Sequence, residues 1–222
     1  MNFKALYAEF IGVFSLIFVA VLAASNTEIV ADAFASGLLI AAMIGAFISH
    51  SGAHFNPAVS LALLLTKRID FKTFSSYVVV QFLAAIAAAF LIKYLFGTES
   101  DWLLAVGTPR IGQTDLTVAM IAEGVGTFIL LTVIFATAVD KRAPKGAPLY
   151  IGFTIVFLIL AIGPISGGAF NPARHVGPAL VSGKLDATSI VYFIGPCVGA
   201  VLAALIYDNL YLKDKQETPA EA

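Results

Sequence analysis

The strongest constraint on this chain is a set of six apolar runs, each close to the length of a helix that crosses a lipid bilayer. Such a helix needs about 20 apolar residues, because it rises 1.5 Å per residue across about 30 Å of hydrocarbon. Residues 78–80 and 83–89 are apolar on every face, whereas strands of a membrane barrel alternate with a period of two. The runs therefore predict an all-α membrane protein with six transmembrane helices. They lie near residues 5–24, 33–50, 74–96, 117–139, 148–163 and 188–211.

The composition excludes several broad classes of protein. Hydrophobic residues make up 59% of the 222 residues and charged residues 12%, which leaves too little polar surface for a water-soluble enzyme. The net charge of −1, with scattered Lys and Arg, lacks the basic footprint of a nucleic-acid binder. No catalytic triad, paired carboxylates or cluster of metal ligands emerges, so we expect no enzyme, no cofactor and no metal. The single cysteine, Cys197, is interpreted as a packing residue.

The chain contains two copies of one unit. Ala8, Glu9, Gly12 and Phe14 recur 114 residues later, and the Phe-Asn-Pro-Ala sequence at 55–58 recurs 115 residues later at 170–173. We therefore predict a single domain over 1–222, with a first repeat over 1–112, a second over 113–212 and a polar tail over 213–222. Each repeat holds three spans, an odd number, so the second copy must enter the membrane from the opposite side as an inverted repeat.

The distribution of Lys and Arg between the loops predicts how the chain is oriented. Cytoplasmic loops of membrane proteins carry an excess of these residues. Nine of them fall on one predicted side and four elsewhere, which predicts a multi-pass protein of the cell membrane with both termini in the cytoplasm. The nine are Lys4, Lys67, Arg68, Lys72, Lys141, Arg142, Lys145, Lys213 and Lys215, and the four are Lys93, Arg110, Arg174 and Lys184.

Two shorter apolar stretches are too short to span the bilayer. The eleven residues from Asn56 to Thr66 would extend about 16 Å as a helix, which is half the hydrocarbon thickness. Asn is a favourable N-cap and Pro is well placed at the first helical position. The same Asn-Pro start occurs at Asn171, where the stretch ends near Gly183. We expect two re-entrant half-helices that meet N-terminus to N-terminus at the middle of the membrane.

The segments that precede these half-helices predict a pore. Non-helical backbone at membrane depth survives only where it is buried in protein or lines a wet cavity. Two helix N-termini at the centre would disfavour cations, and the Asn56 and Asn171 amides can donate hydrogen bonds to a permeating oxygen. Water held by both amides could not relay protons, so we expect neutral solutes to pass while protons and ions do not. The expected pore lining is Gly52, Ala53, His54, Gly167 and Ala169.

The motifs SGAHFNPAVS and SGGAFNPAR, with AEFIG and AEGVG at the starts of the two halves, resemble those of the aquaporin (major intrinsic protein) family. The resemblance implies a passive channel that assembles as a homotetramer in the lipid bilayer, each subunit with its own pore. It also implies that Glu9 and Glu123 are structural buried acids that accept backbone N–H groups of the re-entrant loops. The implied pore motifs are Asn56, Pro57, Ala58 and Asn171, Pro172, Ala173.

The same resemblance assigns an outer selectivity filter to Ser36, Ile159, Gly168 and Arg174. Water-selective members typically carry an aromatic residue and a histidine at the first two positions, and both are missing here. The filter is therefore closer to aquaglyceroporin-like or nodulin-26-like channels, and glycerol, urea or metalloid acids are the expected solutes beside water. Glycerol channels of the family also have an aspartate after the arginine, where this chain has His175.

Several alternatives stay open from the sequence. His50 is displaced by one position from the family pattern, and a matching shift in the second span would bring Phe34 or Ala35 to the filter in place of Ser36. His54 could serve packing alone, and the two glutamates could relay protons. A strictly water-selective channel is the alternative function within the family. A secondary carrier is the alternative from another class, since carriers also use inverted repeats and broken helices.

Overall fold

The computed structural model describes residues 2–25 and 29–212, and the charged positions Lys213 and Lys215 with the rest of the predicted tail lie outside these ranges. Within them, six helical segments are long and apolar enough to cross a membrane, as the sequence predicts. The described chain is all-helical, which confirms the fold class. The helices are α1 (Phe3–Ala24), α2 (Ile29–Ser51), α3 (Pro57–Leu65), α4 (Phe71–Phe96), α5 (Ser100–Gly107), α6 (Leu116–Ile134), α7 (Ala147–Ser166), α8 (Pro172–Val181) and α9 (Val191–Tyr207).

Side-chain caps set where several of these helices begin. Asp70 accepts the N–H of Thr73 at 2.7 Å, and Asp115 accepts the N–H of Val118 at 2.8 Å, so each satisfies an N–H that the first turn leaves unpaired. The third span starts three residues before its predicted position for this reason. Hydrogen bonding of Thr73 also lowers the pKa of the exposed Asp70 carboxyl below its usual range.

Three helical features are absent from the prediction. The short helix α5 follows the third span after a 3₁₀ turn over Gly97–Glu99, and its eight residues are too few to register as a span. The fourth span ends in a π-helical turn over Phe135–Val139, and the last span ends in another over Asp208–Leu212. Irregular turns of this kind are too short to produce a hydrophobic period, so the sequence pattern does not predict them.

Helix packing follows the inverted repeat. The packing of α1 on α4 recurs as that of α6 on α9, and the packing of α3 on α9 recurs as that of α8 on α4. The helices α2 and α7, which are equivalent in the two repeats, pack on each other. Exchanging the two repeats therefore converts each packed pair of helices into another packed pair, and it leaves the pair α2 and α7 unchanged. That is the pattern expected of a pseudo-two-fold axis lying between the repeats.

Gly37 and Gly152 mark where α2 and α7 cross this axis. A Cβ added to Gly37 would lie 2.5 Å from the carbonyl oxygen of Gly152, and one added to Gly152 would lie 2.6 Å from the carbonyl oxygen of Gly37. Any side chain at either position would therefore force the two backbones apart. Small residues at such contacts are the usual means by which membrane helices approach closely.

The two half-helices form as the sequence predicts. Asn56 and Asn171 are both N-caps with extended backbone (φ −158° in each), and Pro57 and Pro172 follow at the first helical position. α3 ends at Leu65, close to the predicted Thr66, and α8 ends at Val181, two residues before the predicted Gly183. The membrane half that holds α3 and the described ends of the chain is called the inner half below, and the half that holds α8 is called the outer half.

The outward surface of the bundle is apolar. Large hydrophobic side chains such as Phe90, Phe157 and Val198 are between 51% and 64% exposed along the faces of the spans. In water, so much exposed apolar area would cost free energy, whereas lipid tails solvate it. The chain is thus a multi-pass membrane protein.

Candidate functional site: a central pore

The two half-helices are joined at their N-termini by reciprocal hydrogen bonds. Nδ2 of Asn56 donates to the carbonyl oxygen of Phe170 at 2.8 Å, and Nδ2 of Asn171 donates to the carbonyl oxygen of Phe55 at 2.9 Å. Each asparagine Oδ1 accepts a backbone N–H of its own first turn, that of Ala58 in α3 and that of Ala173 in α8. The loops of the two repeats therefore meet at the asparagines.

Each asparagine retains one donor for a solute. A primary amide has two N–H groups, and the hydrogen bond to the opposite loop uses one of them. Asn56 and Asn171 both line a central cavity of about 280 Å³, although each is only 5% exposed. The remaining N–H groups can thus serve a solute oxygen inside the cavity, at the place where two helix N-termini concentrate positive potential.

The loops that lead to the asparagines adopt left-handed backbone at equivalent positions. Ala53 and Phe55 have φ of 52° and 49°, and Phe170 has φ of 50°. A non-glycine residue in this region costs of order 1–3 kcal/mol and persists only where its surroundings hold it. In each loop, two successive N–H groups point to one buried carboxylate, which holds the backbone in this conformation.

Glu9 holds the first loop. Its carboxylate, fully buried on α1, accepts hydrogen bonds from the backbone N–H of His54 at 2.9 Å and of Phe55 at 2.7 Å. Ser51 Oγ and Gln81 Nε2 donate to the same carboxylate at 2.6 and 2.8 Å. Three of these four partners can only donate to it, so the anion is the form that accepts from all of them, as expected of an acid that anchors the loop.

Glu123 holds the second loop in the same way with one donor fewer. It accepts from Ser166 Oγ at 2.7 Å and from the backbone N–H groups of Ala169 and Phe170 at 2.9 and 2.6 Å. The position equivalent to Gln81 in the second repeat is Pro196, whose side chain has no hydrogen-bond donor. The two loops are therefore alike in backbone and unequal in their anchors.

All four residues counted as the outer filter line the central cavity together with the asparagines. They are Ser36 on α2, Ile159 on α7, Gly168 in the second loop and Arg174 on α8. Ser36 is 2% exposed and faces the cavity, while Phe34 is 42% exposed on the outer surface of the bundle. α2 is a continuous helix as far as Ser51. The displacement of His50 from the family pattern is therefore not accompanied by a shift that would move Ser36 away from the cavity.

Arg174 is fixed by the segment that links the two repeats. Its guanidinium is 7% exposed and donates from Nη1 to the carbonyl oxygen of Gly107 at 2.5 Å. Next to it, His175 is buried between the carbonyl oxygen of Pro109 (3.0 Å from Nδ1) and Ser189 Oγ (2.9 Å from Nε2). His175 does not line the central cavity. These contacts pin the linking segment onto α8 and set the direction of the arginine.

The other predicted site residues divide into three groups. Gly52, Ala53, His54 and Ala169 line the central cavity, and His54 Nδ1 lies 3.0 Å from Ser60 Oγ. Gly167 lines a separate outer pocket instead, because it packs against the backbone of Pro109 and Arg110. The remaining four are buried in the first turns of the half-helices outside the cavity lining, namely Pro57, Ala58, Pro172 and Ala173.

The sequence of this chain is similar to those of known proteins over most of its length. The model of the family described as major intrinsic protein matches residues 1–207. The chain belongs to the major intrinsic protein family. Aquaporin AqpM from Methanothermobacter thermautotrophicus is 37% identical over 93% of this chain and 97% of its own length. Glycerol uptake facilitator protein-like 6 from Lactiplantibacillus plantarum is 36% identical over 89% of this chain and 93% of its own.

A solved structure shows the same fold. The aquaglyceroporin from Plasmodium falciparum matches with a TM-score of 0.85 at 25% sequence identity, covering 95% of this chain and 97% of its own. As a member of the major intrinsic protein family, the chain is a passive channel for water and small solutes and not an enzyme. Among the described residues, no group of three His, Cys, Asp or Glu side chains is placed to hold a metal ion.

Some residues that shape the site are missing from the sequence prediction. The carbonyl oxygens of Phe55, Phe170 and Gly107 hold the asparagines and the arginine, and backbone acceptors leave no mark in a motif. Asp32 belongs to none of the sequence motifs either. It lies one helical turn before Ser36 and accepts a hydrogen bond from the Ser36 hydroxyl. An acid four residues before a filter position was the signal that could have revealed it.

Proposed function

We propose that this family member conducts small uncharged solutes broader than water, such as glycerol, urea or metalloid acids, in addition to water. The observation that carries the proposal is the filter itself: Ser36, Ile159, Gly168 and Arg174 border one cavity with both asparagines. A serine, a glycine and an isoleucine occupy less of the cross-section than an aromatic ring and an imidazole would. The opening is correspondingly wide, with an apolar wall on one side and donors on the other.

We propose that ions and protons are excluded by the centre of the same pore. The N-termini of α3 and α8 face each other there, and each contributes a partial positive charge that repels cations. The free N–H groups of Asn56 and Asn171 orient a passing water by its oxygen, so its hydrogens point away along the pore. A water chain with that orientation on both sides of the centre cannot pass a proton through it.

We propose that the chain lies in the cell membrane with both termini in the cytoplasm and forms a homotetramer. The loop charges support this orientation, and Arg68 at the end of the first re-entrant segment pairs with Asp208 at 2.7 Å on the inner side. Cross-linking of the purified channel in lipid would test the assembly. A ladder that stops at four subunits is expected, and one that stops at a single subunit would contradict a tetramer.

The solute proposal is tested by light-scattering measurements on proteoliposomes in a stopped-flow instrument. Water, glycerol, urea and boric acid are compared in vesicles with and without the channel. We expect rapid flux of all four, with low activation energy and no saturation. Flux of water alone would show a strictly water-selective channel, and saturable solute flux would show a carrier.

The filter assignment is tested by replacing Arg174. Arg174→Ala should admit larger or charged species. The substitution removes the guanidinium, and with it both the bulk that narrows the pore at the filter and the positive charge there. Lys184→Ala is a matched control, since it removes a cation that the sequence places on the same side of the membrane, at an exposed position beyond α8. Selectivity that is unchanged in Arg174→Ala would remove this residue from the filter.

A further inference from the structure

An unassigned carboxylate lies at the outer end of the filter. Asp32 stands in the first turn of α2, half-buried, and its Oδ1 accepts a hydrogen bond from Ser36 Oγ at 3.0 Å. Several helical serines and threonines of the chain donate instead to their own backbone four residues earlier, as Thr127 and Thr132 do. Ser36 is thus drawn away from its helix and toward the side chain of Asp32.

The same carboxylate shares a pocket with the filter arginine. An outer pocket of about 250 Å³ is lined by Asp32, Arg174 and the backbone of the linking segment around Gly107. Arg174 also lines the central cavity, so the two cavities adjoin at its side chain. The carboxylate of Asp32 and the guanidinium of Arg174 therefore border the same outer pocket.

These two groups offer opposite hydrogen-bonding chemistry. An ionised carboxylate only accepts hydrogen bonds, and a guanidinium only donates them. One oxygen of Asp32 is used by Ser36, and no other hydrogen bond within the described residues involves the carboxylate. Its second oxygen is therefore available to a solute, while Arg174 keeps donors beyond the one that Gly107 accepts.

We propose that Asp32 is a specificity-determining residue of the channel. It accepts the O–H or N–H groups of the solute while Arg174 donates to the solute's oxygen, and the bond to Ser36 keeps the carboxylate aimed at the filter. The favoured class is a small neutral molecule that carries several donors as well as an acceptor, namely a polyol or an amide such as urea. This inference rests on the proposed function, since it needs solutes larger than water to pass.

The decisive variant is Asp32→Asn in proteoliposomes. Asparagine has the shape of aspartate and can still accept from Ser36 through Oδ1, but its second group donates instead of accepting. We expect the permeabilities to glycerol and urea, each relative to water, to fall about tenfold, the lower end of what a hydrogen bond to a charged acceptor contributes. Water permeability and the circular dichroism spectrum should stay close to those of the original channel.

Asp101→Asn is the matched control. Asp101 is an acid of α5 with a side chain that is 75% exposed, and its contact with Lys93 is 4.0 Å long. Its replacement should leave every permeability ratio unchanged. If the ratios in Asp32→Asn stay within twofold of the original, the role assigned to Asp32 is wrong.

The test separates this inference from the proposed function. If the unaltered channel conducts glycerol and urea and Arg174→Ala changes its selectivity, while Asp32→Asn does not, the proposed filter stands and the assignment of Asp32 fails. If the unaltered channel conducts water alone, the proposed function fails, and the assignment of Asp32 fails with it.

Discussion

The unequal anchoring of the two loops makes a quantitative prediction about Glu9→Gln and Glu123→Gln. Glutamine keeps one carbonyl oxygen, which can accept two hydrogen bonds, and replaces the other oxygen with two donors. At position 9 four donors converge, so two of them would face an N–H₂ group. At position 123 three donors converge, so one would do so.

A buried donor left without an acceptor costs about 1–3 kcal/mol. Glu9→Gln should therefore lower the free energy of unfolding by about 2–6 kcal/mol, and Glu123→Gln by about 1–3 kcal/mol. Rotation of the Gln81 amide does not remove the difference. Its Oε1 is buried without a partner, so rotation would bury the N–H₂ group there in its place.

Thermal unfolding in detergent, followed by circular dichroism, measures the difference. A loss of 1 kcal/mol lowers the midpoint by about 2–4 °C in a chain of this size, so Glu9→Gln should shift it about twice as far as Glu123→Gln. Glu99→Gln, at an exposed position, should shift it by less than either. Equal shifts of the midpoint for the two variants, or a larger shift for Glu123→Gln, would refute the claim that the loss of stability follows the number of donors left without an acceptor.

Three further changes test the packing, the filter and the inner loop. Gly126→Ala drives a methyl group into the ring of Phe170, so it should cost about 1–3 kcal/mol and reduce all flux, as measured by thermal unfolding and vesicle swelling. Ile159→Phe should narrow the filter and suppress glycerol flux more than water flux; equal suppression would contradict its place there. Hydrogen bonds from Arg142 lower the pKa of Asp140 below its usual range, so this pair stabilises the fold above that range and its contribution is lost as the pH falls through the lowered pKa. Asp140→Asn should accordingly reduce the unfolding midpoint at neutral pH and flatten its decline in acid.

Much of the fold could be predicted because it depends on properties that a short window of sequence carries. Apolar length sets the six spans, and Asn followed by Pro sets the start of each half-helix at Asn56 and Asn171. The inversion follows from an odd number of spans in each repeat. The spans and the helix starts each depend on residues within one segment, and the inversion depends only on the number of spans in each repeat.

The rest depends on contacts between distant segments. Arg174 is held by Gly107, 67 residues earlier, and the two loops are held by acids 45 and 46 residues away from the groups they bind. No window of sequence contains both partners of such a bond. The position of Ser36, by contrast, could be obtained by counting, because an unbroken helix converts residue number into height along the pore.

The pseudo-two-fold axis relates the proposed filter to an equivalent ring of residues in the other half of the pore. Moving each filter residue by the repeat spacing of 115 carries Ser36, Ile159, Gly168 and Arg174 onto Ile151, Ile44, Ala53 and Val59, and these four also line the central cavity. The backbone thus builds the same ring twice, once in each half. In the inner half every member is apolar and offers a solute no side-chain hydrogen bond, whereas the outer ring offers a hydroxyl and a guanidinium. The proposed function therefore assigns recognition of a solute to the outer ring, where side-chain hydrogen bonds are available to it. Because equivalent positions build the two rings, the difference in their chemistry rests on two pairs of residues: Ser36 in place of Ile151, and Arg174 in place of Val59.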